Sequence, residues 1–333
     1  MFDMTGVLIL IVVIVVFCFL TIRAWKSKNA FLKWIGVIIA GLLTLIPVAL
    51  LVLALIGFSK LNRQYDNPVA AIQVAGTPAQ IARGEKLANI CVSCHAPGDQ
   101  LPFSGTNFVA KFDFPPVGTL YSPNLTPSGD IAEWTDGELI RAIREGIHRD
   151  GRSLLVMPSG TFRNMSDEDV QALVAYIRAQ PGVGAPTPNT RFNVLGAVFM
   201  NLADFRTAQQ PVSSVTAPRA GTPAYGKYMV DIIACGDCHG TQLEGRVDNG
   251  QPGPTPGPNL TRIVPQWSEA QFMTFFNTGT KPDGTQVPML TLTSGFSEPR
   301  MPWPMVRAVA TDAELKDMYA YLHSLSAVES PRP

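Results

Sequence analysis

The sequence predicts an all-α protein in which an N-terminal two-helix transmembrane hairpin precedes two tandem copies of one small helical unit. Three observations carry this reading. The first 60 residues are almost wholly apolar, whereas the rest of the chain is polar and rich in Gly and Pro. The pattern C-x-x-C-H occurs twice, at residues 91–95 and 235–239, in a chain with only five Cys and four His. Around each pentad a longer order of motifs recurs, with offsets that drift between 133 and 145 residues. The expected boundaries are 1–60 for the hairpin, 61–80 for a linker, 81–185 for the first unit, 186–222 for a connector and 223–328 for the second unit.

The hairpin comes first. "TGVLILIVVIVVFCFLTI" (residues 5–22) is uncharged over 18 residues, about 27 Å as a helix and close to the hydrocarbon thickness. "IGVIIAGLLTLIPVALLVLALIGF" (residues 35–58) is uncharged over 24 residues, about 36 Å, enough to span with tilt. Pro47 is a candidate kink. The opening "MFDMTG" has no Lys or Arg, so it lacks the basic start of a cleaved signal peptide. The intervening "RAWKSKNAFLKW" carries Arg23, Lys26, Lys28 and Lys33 and no acid, which places it in the cytoplasm. Everything after Lys60 then lies on the outer side. The expectation is a multi-pass protein of a bacterial inner membrane with a periplasmic body. With 26 basic and 26 acidic residues, the charge balance suggests no nucleic-acid partner.

The pentads explain where the scarce Cys and His go. Two thiols on one helical turn add to the two vinyl groups of a porphyrin, and the adjacent histidine reaches the iron, so C-x-x-C-H signals a c-type haem. Cys91, Cys94 and His95 would hold one haem and Cys235, Cys238 and His239 a second: two covalently bound haem c. A disulfide within each pentad, a shared four-cysteine zinc site or a thioredoxin-like redox pair leaves the fixed histidines unexplained. Cys18, the remaining cysteine, falls in the first span as a small buried apolar residue.

Each repeat reads as short helices joined by irregular loops, with the pentad at the C-terminal end of its first helix. "DGELIRAIREGI" and "EAQFMTFFNTG" place apolar residues at three- and four-residue spacing and stop at Gly. "SDEDVQALVAYIRAQ" and "TDAELKDMYAYLHSL" begin with Ser or Thr at the N-cap and an acidic first turn. No stretch alternates as a strand. Asn124 matches Asn259, Trp134 matches Trp267, Gly146 matches Gly279 and Tyr176 matches Tyr321. The Asn and Trp pairs are candidates to support the cofactor, by donating to haem propionates or steadying a ligand loop; a turn Asn and a core Trp are the ordinary alternatives.

A haem that only exchanges electrons needs a sixth ligand, and Met opposite His raises the potential. Met157 in "LLVMPSG" and Met301 in "EPRMPWP" precede Pro and stand 19 and 20 residues before Tyr176 and Tyr321, which makes them the candidate metal ligands beside His95 and His239. Met165 sits next to a helix cap, where packing is expected. Met289 and Met305 remain rivals to Met301, because the second loop is longer. His148 reads as a surface-loop histidine and His323 as a last-turn residue suited to the helix dipole.

The order pentad, "PNLT", "W[ST]", "DG", "MP" and a closing helix with "AY[IL]" resembles class I cytochrome c domains. It is more closely similar to the multihaem cytochrome c subunits of membrane-bound alcohol, aldehyde and gluconate dehydrogenases. "NTRFNVLGAVFMNLADFR" (residues 189–206) resembles the apolar connector between their domains. The likeness covers about residues 80–326, and its Met-Pro motif agrees with Met157 and Met301. Those subunits typically carry three haems and a C-terminal membrane segment, whereas this chain has two pentads and an N-terminal hairpin, so the resemblance implies fold and electron transfer without selecting a partner enzyme. The expected role is a membrane-anchored electron-transfer subunit of an oxidoreductase complex. It would join, through its hairpin, a membrane complex that oxidises quinol or a dehydrogenase substrate, and deliver to a soluble cytochrome c, a copper protein or a terminal oxidase. The alternatives are a peroxidase-like dihaem enzyme, or an assembly subunit of a larger respiratory or photosynthetic complex.

Overall fold

The computed structural model describes residues 4–111, 116–203, 206–247, 256–289 and 301–332. Residues 204–205 of the connector and 290–300 of the loop before Met301 lie outside the described residues. The chain is mostly helical and separates into two compact units, one built on the N-terminal hairpin and one on the two repeats.

The first unit joins residues 1–65 to 107–122 and 188–206. Helices α1 (Met4–Trp25) and α2 (Ala30–Leu61) are long and apolar enough to cross a membrane. Their Leu, Ile and Val side chains face outward, many more than half exposed, the reverse of a soluble core. Thr21 and Thr44 hydroxyls donate to the Phe17 and Ala40 carbonyls one turn back, which keeps these polar atoms satisfied without water. In the turn, Asn29 caps α2 by accepting from the Phe31 and Leu32 N–H groups, while Lys33 lies over the Trp25 ring at 4.0 Å.

The second unit holds both repeats. In the first, α3 (Pro78–Ala88) starts from a Thr77–Gln80 capping box. α4 (Asp136–Glu145) starts from a Thr135–Glu138 box and ends at Gly146, which is left-handed at φ 64°. α5 (Asp167–Ala179) is capped by Ser166. The connector helix α6 (Val194–Leu202) belongs to the hairpin unit, where the two-residue strands Gly118–Thr119 and Arg191–Phe192 pair antiparallel. The second repeat follows with α7 (Pro223–Ile232), α8 (Glu269–Thr278, ending at Gly279 with φ 72°), α9 (Trp303–Val309) and α10 (Asp312–His323, capped by a Thr311–Glu314 box). The caps Ser166 and Thr311 and the stops at Gly146 and Gly279 fall where the sequence places them.

In each repeat the first and last helices cross at a glycine. A Cβ on Gly84 would overlap the Ala172 carbonyl and the Tyr176 side chain, and one on Gly226 would overlap the Asp317 carbonyl. Only a residue without a side chain permits this approach. Gly226→Val should therefore destabilise the folded chain by about 2–3 kcal/mol through overpacking. Thermal unfolding followed by circular dichroism reads this; an unchanged midpoint would show that the helices tolerate a wider crossing.

Buried apolar residues of the two repeats form one continuous cluster, from Leu87, Phe103 and Leu173 to Met229, Phe272 and Leu315. Two extended segments are laid along α4. Asn67 accepts at its carbonyl from Arg141 and donates from its side chain to Glu145 and the Gln209 carbonyl. Val74 N–H donates to Asp136, and Val212 N–H to Glu145. Residues read as linker and spacer are thus bonded to the first repeat along part of their length.

Candidate haem-binding sites

The expected single helix carrying each pentad is broken in the structure. In the first repeat α3 stops at Ala88 and a separate turn, Val92–His95, carries the pentad. The cause is Asn89, whose side-chain amide donates to the Glu85 and Lys86 carbonyls and so takes up the acceptors that continue a helix. In the second repeat Ala234 at φ 66° separates α7 from the turn Cys235–His239. The Cys94 and His95 N–H groups both donate to the Cys91 carbonyl, at 3.2 and 3.0 Å. Thiols and imidazole therefore share one turn.

The four pentad cysteines are unbridged. Burial, reinforced by Cys94, pushes the Cys91 thiol up to about 12. Burial and then Cys238 push Cys235 up to about 12, and burial and then Asp237 raise Cys238. The upward shifts at Cys91, Cys235 and Cys238 are the opposite of a thioredoxin-like pair, whose nucleophile is a lowered-pKa thiolate. Among the described residues no three His, Cys, Asp or Glu side chains converge to hold a metal, which removes the shared zinc site.

Both pentad imidazoles are buried and face a proline carbonyl: His95 Nδ1 lies 3.1 Å from Pro123 O, and His239 Nδ1 lies 2.8 Å from Pro258 O. A carbonyl only accepts, so Nδ1 carries the proton and the lone pair is on Nε2, the nitrogen a metal would take. Burial holds His239 below the ordinary imidazole value, against the opposing pull of the Pro258 carbonyl, and the neutral ring is the ligating form.

The recurring "PNLT" has a division of labour. Asn124, fully buried, donates to the Val183 and Ala185 carbonyls and accepts from the Thr126 N–H and hydroxyl. Asn259 donates to the Val328 carbonyl and Ser330 and accepts from the Thr261 hydroxyl. In each copy Pro supplies the carbonyl for histidine, while Asn and Thr fasten that strap to the chain beyond the closing helix. Trp134 meets His148 edge-on at 4.8 Å, and its carbonyl accepts from Arg178 of α5. Trp267 packs on Phe275 at 5.4 Å, and its carbonyl accepts from Tyr319 of α10 at 2.8 Å.

Met157 and Met301 are both half-buried and pack against the apolar core. Val156, immediately before Met157, has φ 65°, a left-handed conformation that on a β-branched residue costs on the order of 1–3 kcal/mol and persists only where surroundings impose it. Met289 bridges to Met301 but is 47% exposed, and Met305 lies on α9. Met165 is buried in the core. His148 Nδ1 is 2.9 Å from Asp150. The Asp150 carboxyl is held at about 2: partial burial works the other way, and hydrogen bonds from Arg152 with the His148 contact outweigh it. His323 packs on Tyr319 at 5.1 Å.

The Cytochrome c family model matches residues 81–181 and 224–326, more than half of the chain. The chain belongs to the cytochrome c family. Each matched cytochrome c domain contains one pentad, and such domains bind haem c covalently. Half-buried, unbridged thiols one turn apart and a buried imidazole whose Nδ1 is held by a carbonyl fit that group. Among curated proteins the chain is similar to a nicotinate dehydrogenase subunit of Pseudomonas putida, 31% identical over 221 residues, 60% of this chain and 18% of that protein. It is similar to the fructose dehydrogenase cytochrome subunit of Gluconobacter japonicus, 26% identical over 282 residues, 74% of this chain and 53% of that protein. The cytochrome c subunit of alcohol dehydrogenase (quinone) from Komagataeibacter europaeus is 31% identical over 185 residues, 51% of this chain and 39% of its own. The chain thus spans at most about half the length of these relatives.

Sequence reasoning missed Pro123 and Pro258, although a Pro before Asn in both copies was the available signal. It also missed Val156 and Ala234, whose backbone conformation has no side-chain signature.

Proposed function

We propose that the chain is a membrane-anchored dihaem cytochrome c serving as an electron-transfer subunit of an oxidoreductase complex. Cytochrome c domains at 81–185 and 223–328 each hold one haem c, joined to the hairpin through a linker at 61–80 and to each other through a connector at 186–222. Cys91 and Cys94 hold the first porphyrin and Cys235 and Cys238 the second. His95 and His239 would ligate the irons through Nε2 and Met157 and Met301 through their thioethers, while Asn124, Asn259, Trp134 and Trp267 brace the straps and loops around these residues. When bound, haem c supplies a one-electron couple. The polypeptide fixes the imidazole through the proline carbonyl, excludes water with its apolar cluster, and would offer the thioethers of Met157 and Met301 as the second ligands.

The observation that carries this reading is the pair of pentad histidines, each buried with Nδ1 on a proline carbonyl. α1 and α2 hold the domains at the periplasmic face of a bacterial inner membrane. The relatives' names, dehydrogenase subunits all, support a dehydrogenase or quinol-oxidising complex as donor; a soluble cytochrome c, a copper protein or a terminal oxidase is the acceptor. Carbon monoxide tests the ligand set, since it binds readily only to an iron with an open position. The reduced chain is expected to leave carbon monoxide unbound, while Met157→Ala gains a carbon monoxide spectrum for one haem in two. Binding by the unsubstituted chain would favour a peroxidase-like enzyme instead.

A further inference from the structure

Thr207, in the connector between the repeats, bonds to both sides of the Met157 loop. Its N–H and its hydroxyl each donate to the Leu154 carbonyl at 3.1 Å, and the N–H also reaches the Ser153 hydroxyl at 2.9 Å. On the far side of Met157, the Ser159 hydroxyl donates to the Thr207 carbonyl. The Ala208 N–H adds a second bond to Ser153 at 3.0 Å. Downstream the connector is anchored independently of this loop. Gln209 N–H donates to the Glu145 carbonyl, and the Asp167 N–H donates to the Val215 carbonyl, both at 2.8 Å. Between the two held ends of the loop stands Val156, whose left-handed backbone persists only where surroundings impose it.

The second repeat closes the matching carbonyl with a side chain of its own. Leu154 and Val287 occupy matching places, each N–H donating to the glycine that stops the preceding helix, Gly146 at 2.7 Å and Gly279 at 2.9 Å. The Val287 carbonyl accepts from the Trp303 indole at 3.3 Å, and a Cβ on Gly279 would overlap that indole. Trp303 stands two residues after Met301, where the first repeat has Ser159, two after Met157. A serine is too small to fill the place of an indole, and the connector fills it instead: a Cβ on Gly146 would overlap the Thr207 carbonyl and the Ser159 hydroxyl. One ligand loop is thus fastened from within its repeat and the other by the connector.

We propose that Thr207, Ser153 and Ser159 form a clasp that positions Met157 for the first haem iron, so that the connector governs release of this one thioether. The proposal rests on the reading that Met157 is the sixth ligand. Imidazole titrated into the oxidised, haem-loaded full chain tests it, because the apparent affinity of a competing ligand scales with the fraction of open loop. Ser153→Ala/Ser159→Ala is expected to raise the imidazole affinity of one haem about tenfold, as loss of two or more hydrogen bonds implies, and to leave the other haem unchanged. Ser153→Thr, which keeps the hydroxyl, should bind as the unsubstituted chain does. Ser159 is fully buried; if the double variant does not fold, Ser153→Ala alone is read, with a rise of about threefold expected. Met157→Ala separates the clasp from the ligand reading. It should open one haem to imidazole, and adding both serine changes to it should gain nothing more. No opening in Met157→Ala would overturn the ligand reading and the clasp with it. If Met157→Ala does open one haem, three results would each overturn the clasp alone: an unaltered affinity in the serine variants, an equal rise at both haems, or a further gain on adding the serine changes to Met157→Ala.

Discussion

Changing Cys235 and Cys238 together to serine is expected to leave one porphyrin covalently attached to the chain, halving the haem absorbance per polypeptide. The intact mass should fall by one haem, apart from the small change of the two substitutions. A serine hydroxyl does not form the thioether, so nothing remains to bond the vinyl carbons. The consequence extends beyond colour. His239 is buried with its Nδ1 committed to Pro258, and without the group it faces, that imidazole and the surrounding apolar wall lose their occupant. The second repeat should then unfold well below the unsubstituted chain, while Soret absorbance from the first repeat persists. Cys91→Ser/Cys94→Ser should give the mirror result. Pyridine haemochrome absorbance after acid-acetone extraction decides the matter; two porphyrins still attached to either variant would defeat the assignment of these thiols.

Local chemistry was legible and long-range chemistry was not. Ser166 and Thr311 cap the closing helices as read, because a cap is decided within four residues. The pentads were legible for the same reason. The break before the first pentad was missed because helix periodicity says nothing of an Asn side chain turning back onto its own turn, and the one before the second because the left-handed backbone of Ala234 has no side-chain signature. The imidazole partners were missed because a proline carbonyl looks like any other carbonyl in a sequence. Position in the repeat hid a further feature. Arg83 and Tyr225 occupy matching places one residue before Gly84 and Gly226, and Asp169 and Glu314 occupy matching places three residues after the caps Ser166 and Thr311. Arg83 and Tyr225 differ in chemical type, so the repeat comparison passes over them, yet in space they meet the two carboxylates Asp169 and Glu314.

Arg83→Met is accordingly expected to destabilise the chain by about 3–5 kcal/mol, the usual consequence of leaving buried carboxylates without their cation. Arg83 binds Asp169 with two parallel bonds, Nε at 2.8 Å and Nη2 at 3.0 Å, and reaches Glu314 of the other repeat with Nη1 at 2.6 Å. Its side chain is 22% exposed and each carboxylate 10%, so solvent screens these pairs far less than surface ones. Burial works against the charged guanidinium, but the hydrogen bond and charge of Asp169, with the charge of Glu314, raise its pKa overall. After substitution Asp169 keeps one donor, Tyr228 at 2.6 Å, and Glu314 keeps Tyr225 at 3.0 Å together with the Thr311 N–H and hydroxyl at 2.8 and 2.9 Å. Tyr228 also accepts the Ser166 N–H at 3.0 Å and so crosses between repeats independently; Tyr228→Phe should cost about 1–3 kcal/mol by leaving buried polar groups unpaired. Arg83→Lys separates charge from geometry: it keeps the cation but loses the planar fork, and should fall between Met and the unsubstituted chain. Denaturant unfolding with both haems attached measures all three. Stability within about 0.5 kcal/mol of the unsubstituted chain for Arg83→Met, the range of ordinary surface substitutions, would show that the apolar cluster alone joins the repeats. Tunnelling between two redox centres falls steeply with their separation, so with one haem in each repeat, as proposed, a contact that fixes one repeat against the other would also fix the rate of electron transfer between them.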